Sequence, residues 1–142
     1  MTEAMPRIGV AVLVWRRERL LLGRRLAGHG EGTWQLPGGH LEPQEDVLTC
    51  ARREVREETG LGLDSLRPAV WTESVFPAVG LRYVTLFVLA RHVHGDPRAL
   101  EPEKSAQWGF FDPAALPAPL FSPLQSLLEH HPGLLGPGCR LG

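Results

Sequence analysis

The 142-residue sequence is 43% hydrophobic and 22% charged with a formal net charge of −1, the make-up of an ordinary globular domain. A chain so close to neutral gives no electrostatic reason to wrap a nucleic acid polymer or to dock on an anionic membrane. No apolar stretch reaches the ~18 residues that span a bilayer, and MTEAMPRIGV lacks a basic-then-apolar leader, so a cytoplasmic address is expected.

Ile8 to Trp15 and Leu20 to Arg24 are apolar runs of strand character, and the charged Arg16-Arg17-Glu18-Arg19 between them predicts a hairpin. A glycine-rich loop, Gly28-His29-Gly30-Glu31-Gly32, leads to a short strand Trp34-Gln35-Leu36. Pro37-Gly38-Gly39 is expected to break that strand, because proline removes a donor and glycine admits unusual backbone angles. A helix should start after Asp46, a good N-cap, and stop at Gly60. Val47, Leu48, Ala51 and Val55 form its apolar stripe. Val70 to Phe76 and Tyr83 to His92 read as longer strands, and Trp108 to Phe111 as a short one. Ser122-Pro123-Leu124-Gln125 carries an N-cap serine, a proline at N1 and a glutamine at N3, opening a second helix through about His131. The pattern is a mixed sheet between two helices, an α/β/α sandwich in one domain over residues 1–142. Its core is expected at about 5–131, with a loose Gly/Pro-rich tail over 132–142.

The chemistry concentrates between Gly38 and Leu61. Glu54, Glu57 and Glu58 stand at helical offsets of zero, three and four, so they share an arc of roughly 100° on one helix face. Carboxylates about 4 Å apart repel by up to ~4 kcal/mol per pair at an effective dielectric near 20. A divalent cation among them removes that repulsion, and hard oxygen ligands point to Mg²⁺, Mn²⁺ or Ca²⁺. Glu45 and Arg53 suit an ion pair that orients the loop before the helix. Trp34, Gln35 and Phe121 could contribute to a nucleobase pocket, since a flat base wants an aromatic face and an amide edge. Cys50 reads as a small buried hydrophobe, and no disulfide with Cys139 is expected.

Written as a pattern, the segment is Gly39, five residues, Glu45, seven residues, Arg53-Glu54-Val55, one residue, Glu57-Glu58, one residue, Gly60-Leu61. Every fixed position of the Nudix box is filled, and the chain resembles the MutT/Nudix hydrolases. WQLPGGHLE, the paired arginines after LLLG, YVTLFV and EPEKSAQW extend the likeness towards MutT-type nucleotide diphosphatases. The resemblance implies the Nudix fold and hydrolysis of a nucleoside diphosphate linked to a further group. For a nucleoside triphosphate, including an oxidised or otherwise modified one, the products would be the monophosphate and pyrophosphate. It implies Mg²⁺, with Mn²⁺ as a substitute, held by Glu54, Glu57, Glu58 and the Gly38 carbonyl. Glu54 is also a candidate base, and the base stays open. Glu103, in the loop before Trp108, matches a position that adds an outer ligand or base, or is a solvated loop acid. Arg25 matches a phosphate-contacting arginine, or is an exposed strand-end charge, and Gly39 and His40 could face the phosphates. Gly39, Glu45, Arg53 and Gly60 complete the structural motif. Two other readings are open: an ADP-ribose or nucleotide-sugar pyrophosphatase, with Pro77 sixteen residues after Leu61, and a non-catalytic nucleotide sensor. The relatives include monomers and homodimers, so either assembly is expected.

Overall fold

The computed structural model describes residues 5–135. Strand β1 (Arg7–Arg16) turns through Arg17 and Glu18, both at positive φ (49° and 64°), into β2 (Arg19–Arg25), with Trp15 opposite Leu20. Strand β3 (Trp34–Gln35) pairs antiparallel with β2, and β4 (Gly38–His40) pairs antiparallel with β1. Helix α1 (Val47–Thr59) leads to β5 (Gly62–Phe76), a 3₁₀ turn at Pro77–Val79, and β6 (Leu81–His94). Strand β7 (Ser105–Phe111) pairs with β2, and helix α2 (Ser122–His130) follows. The path β3-β2-β1-β6-β5 has one parallel step, β1 on β6, and its other pairings are antiparallel. This is the expected mixed sheet with two helices.

Two apolar clusters explain the layering. Val10, Val12 and Val14 of β1 join Val88 and Ala90 of β6 against Cys50, Ala51 and Val55 of α1. The alternate residues Leu13 and Trp15 join Phe87 and Leu89 against Leu124 and Leu127 of α2. Period-two alternation therefore feeds both faces of the same strands. No helix among the described residues is long and apolar enough to cross a membrane.

Asp46 caps α1 as expected, accepting from the Thr49 amide at 2.8 Å, and Gly60 ends it at φ 79°. Cys50 is fully buried, which pushes its thiol up to about 12, while Cys139 lies outside the described residues.

Four expectations are corrected. Gly38 and Gly39 do not merely break a strand; they form β4, because only a residue without Cβ can come so close to β1. A Cβ on Gly38 would lie 2.0 Å from the Val10 carbonyl oxygen. Ser122 is the first helical residue rather than the N-cap. Phe121 holds that place without a side-chain cap, because its own N–H donates to the Trp34 carbonyl and its carbonyl accepts from Gln125. Strand β5 starts at Gly62, not Val70, and as an edge strand it accommodates Pro68 beside a register shift between Pro68 and Trp71. Finally, of the expected loose tail over 132–142, residues 136–142 lie outside the described residues and 132–135 are ordered. The latter form a 3₁₀ turn whose Leu135 is 7% exposed and packs in the α2 cluster.

Leu135→Ala tests that last correction. Removing a buried leucine side chain should cost about 2–3 kcal/mol, read as a lower urea midpoint at unchanged m-value. An unchanged midpoint would return these residues to a loose tail.

Candidate active site

The site is built where α1 lies across the glycine strand. A Cβ on Gly39 would meet the Glu54 carboxyl carbon at 2.3 Å and both its oxygens at 2.5 Å, so the paired glycines are the recess into which the acids fit. The Gly38 amide donates to Glu58 Oε2 at 3.0 Å. Glu58 is only 7% exposed, and burial pushes its carboxyl up to about 9 despite that hydrogen bond. Burial likewise raises Glu54, with Arg53 opposing the shift. Glu57, half exposed, completes the face.

Arg53 organises these charges. Its Nε and Nη2 fork onto Glu45 at 2.7 and 2.8 Å, a bidentate pair that drives the Glu45 carboxyl down to about 2 and raises the guanidinium. The other terminal nitrogen, Nη1, reaches Glu54 at 2.8 Å and Glu57 at 3.2 Å. Glu45 also accepts from the Glu42 amide at 3.2 Å, so the pair ties the 42–45 turn to the helix. Among the described residues no three His, Cys, Asp or Glu side chains converge closely enough to hold a metal ion as they stand. The third fork of Arg53 lies between two of the carboxylates instead.

Beside this acidic face opens a cavity of about 210 Å³. Gly38, Gly39 and His40 form one side, the β1 segment Gly9 to Ala11 the floor, and Arg25 and Gln35 another wall. Arg25 is not an exposed strand-end charge. Its Nε donates to the His29 carbonyl at 2.8 Å, its Nη1 to Gln35 Oε1 at 2.6 Å, and its guanidinium sits 4.1 Å over Phe121. Burial lowers its pKa, which Glu58 partly offsets. Phe121 therefore does line the cavity, whereas Trp34 packs edge-on against Phe111 at 5.3 Å. His40 is exposed, stacks on Tyr83 at 5.8 Å and meets its hydroxyl at 3.3 Å.

Sequence reasoning missed four contributors. His29, Phe76 and Tyr83 form an aromatic rim, His29 edge-on to Phe76 at 4.0 Å and Phe76 edge-on to Tyr83 at 5.8 Å. Phe76 and Tyr83 flank the β5–β6 turn, so their place at the rim depends on a pairing that no local pattern reveals. The fourth is Glu101. Glu103 is exposed, and the acid in that loop whose charge bears on both Glu54 and Glu58 is Glu101. The loop is brought there by the Leu100 amide, which donates to the Glu58 carbonyl at 3.1 Å.

The NUDIX domain family matches residues 5–130. An oxidized purine nucleoside triphosphate hydrolase of Mus musculus is 38% identical over 105 residues, covering 72% of this chain and 65% of that protein. The NAD-capped RNA hydrolase NudC of Chromobacterium violaceum is 36% identical over 114 residues, 79% of this chain and 41% of the relative. The chain thus spans less than two thirds of the length of these curated relatives. The crystal structure of a MutT NUDIX hydrolase from Burkholderia pseudomallei superposes with a TM-score of 0.85 at 31% identity, covering 90% of this chain and 99% of that one.

Glu58 gives a pH test. Its folded value near 9 lies above the ordinary 4.5, so its contribution to stability is full below about 4.5 and is lost as pH rises towards 9. In the presence of EDTA, Glu58→Gln should melt close to the parent at pH 5 and above it at pH 9. Equal melting temperatures at pH 9 would refute the buried-carboxyl assignment.

Proposed function

We propose that this chain, which belongs to the NUDIX hydrolase family, hydrolyses nucleoside triphosphates to the monophosphate and pyrophosphate with Mg²⁺ as the metal. One observation carries this reading: an acidic helix face packed on a glycine strand, at the edge of an aromatic cavity that also holds an arginine. The donor set is all hard oxygen and suits Mg²⁺ or Mn²⁺. Glu54, Glu57, Glu58 and the Gly38 carbonyl would hold it, and the recess at Gly39 brings Glu54 against the strand that carries this carbonyl. Bound there, the cation supplies charge neutralisation for the phosphates and a more acidic water.

The chain's own groups do the rest. Arg53 keeps Glu54 and Glu57 oriented through its Nη1 while the fork on Glu45 anchors it. Because the guanidinium is rigid and anchored on Glu45, rotation of the Glu54 and Glu57 side chains away from Nη1 would free both carboxylates without breaking the Glu45 pair. Glu54 is a candidate base, and the loop before β7 offers two more acids, Glu103 and Glu101, the latter paired with Lys104 at 3.6 Å. Arg25 has Nη2 uncommitted to His29 or Gln35 and can meet a phosphate oxygen. The rim of His29, Phe76, Tyr83 and Phe121 offers ring faces and edges to a base. The mouse relative, named for oxidized purine nucleoside triphosphates, supports a purine triphosphate as substrate.

The reading is tested by product analysis. With Mg²⁺, a purine nucleoside triphosphate should yield its monophosphate and pyrophosphate. Orthophosphate with the diphosphate as first products would contradict the attack between the α and β phosphates. Glu57→Gln and Glu58→Gln should each cut turnover by about 10²-fold or more while the circular dichroism spectrum is kept, and EDTA should abolish activity.

The substrate class is tested separately. Between β5 and β6 the wall is a single 3₁₀ turn closed by Gly80, so it offers little surface for a second sugar. A triphosphate also brings about four negative charges to the site against about two for ADP-ribose. A triphosphate should therefore show the higher kcat/KM. The opposite order would move the enzyme to nucleotide sugars and leave the metal site intact.

A further inference from the structure

The cavity has a fixed hydrogen-bonding sense that the family assignment does not supply. Arg25 Nη1 lies 2.6 Å from the Gln35 side-chain amide, and a guanidinium carries donors only. The amide atom facing it must therefore be the carbonyl oxygen, Oε1. Gln35 is thereby held with its NH₂ turned away from Arg25, which leaves that NH₂ as its donor for a ligand in the cavity that Gln35 lines. Arg25 is itself held, by the His29 carbonyl at 2.8 Å and by the Phe121 ring 4.1 Å beneath its guanidinium, so it does not swing freely.

No carboxylate on the wall reverses this sense. No aspartate or glutamate lines the cavity among the described residues. The His29 carbonyl already accepts from Arg25. The hydroxyls of Tyr83 and Thr85 donate or accept as required. A base entering here meets a committed donor and no committed carboxylate acceptor.

We propose that Arg25 is a positioning residue that sets the sense of the Gln35 amide, so that the cavity selects bases presenting a ring carbonyl over bases presenting an amino group at the same place. The proposal rests on the nucleoside triphosphate reading above and names its base class. An amino group would face the Gln35 NH₂ donor to donor, leaving both unpaired in a partly buried site.

Hypoxanthine and adenine nucleotides are the matched probes, since they carry a carbonyl and an amino group respectively at position 6. Binding of dIMP and dAMP is measured by calorimetry and kcat/KM is measured for dITP and dATP. The expected preference is roughly tenfold or more for hypoxanthine in both. In Gln35→Glu the side chain offers acceptors only, and the preference should reverse. In Arg25→Met the ratio should fall towards one, even if phosphate affinity falls too, because the shared phosphates cancel in the ratio. A parent ratio of one, a preference for adenine, or an Arg25→Met protein that weakens both nucleotides equally and keeps the ratio would overturn the proposal. Equal hydrolysis of both triphosphates sinks the base selection and leaves the triphosphate reading standing. Preferential binding of dIMP without hydrolysis of either triphosphate upholds the base selection and sinks the triphosphate reading.

Discussion

The close approach of α1 to the glycine strand is the constraint on which the rest of the site depends. Carboxyl groups are rarely buried against a sheet, because a side chain on the strand would occupy the space and water would be lost without replacement. Here Gly39 leaves the space and the Gly38 amide supplies a replacement for one Glu58 oxygen. The same glycines let β4 press on β1, where a Cβ on Gly38 would lie 2.9 Å from the Ala11 Cα. Two consecutive residues thus set both the strand pairing and the depth of the acids. Their price appears in the raised carboxyls of Glu54 and Glu58, where burial outweighs the Arg53 pair at Glu54 and the Gly38 hydrogen bond at Glu58.

Arg53 makes that arrangement tolerable without neutralising it. Of its three nitrogens, two are committed to Glu45, and one is shared between Glu54 and Glu57. The division separates a structural bond from an exchangeable one. The Glu45 pair is bidentate and fixes the turn before the helix, and its carboxylate is ionised far below neutral pH. The contacts to Glu54 and Glu57 are single and can give way to a stronger cation. Glu58 receives nothing from Arg53 among its closest contacts; the Gly38 amide is its partner.

Much of this was legible in the sequence, for reasons that differ by element. Asp46 and Gly60 mark the ends of α1 because capping is local chemistry. The acids at Glu54, Glu57 and Glu58, and the pair at Glu45 and Arg53, are fixed by helical spacing and a short turn. Strand β4 was hidden because Gly38 and Gly39 carry no side-chain pattern, and their pairing with Val10 and Ala11 is a long-range contact. Leu135 was hidden by glycine- and proline-rich surroundings, which describe the backbone and say nothing about a neighbouring apolar surface. Glu101 and Glu103 are two residues apart in one loop, and the Leu100 bond that draws this loop to α1 is a long-range contact no local pattern reveals. The aromatic rim needed the β5–β6 register, which places Ser74 opposite Tyr83 and Phe76 opposite Leu81.

The parallel step in the sheet explains why two unlike environments lie side by side. Register between β1 and β6 puts Gly9 opposite Thr85 and Ala11 opposite Phe87, so this stretch of β1 floors the cavity beside β6. The other edge of that stretch carries β4, with His40 opposite Gly9 and Gly38 opposite Ala11. These three residues of β1 therefore floor a cavity that is free of carboxylates among the described residues and is walled by β6 and by the glycine strand, and that same glycine strand lies against the carboxylates of α1. A ligand with a flat uncharged end and a polyanionic end meets both environments without any strand or helix having to move. Electrostatics orders it within the site: the aromatic end can lie where no carboxylate lines the wall, while the anionic end is compatible with α1 only when a cation stands between the two sets of negative charge. The orientation of such a ligand is thus a consequence of how β1 is shared between its two neighbours.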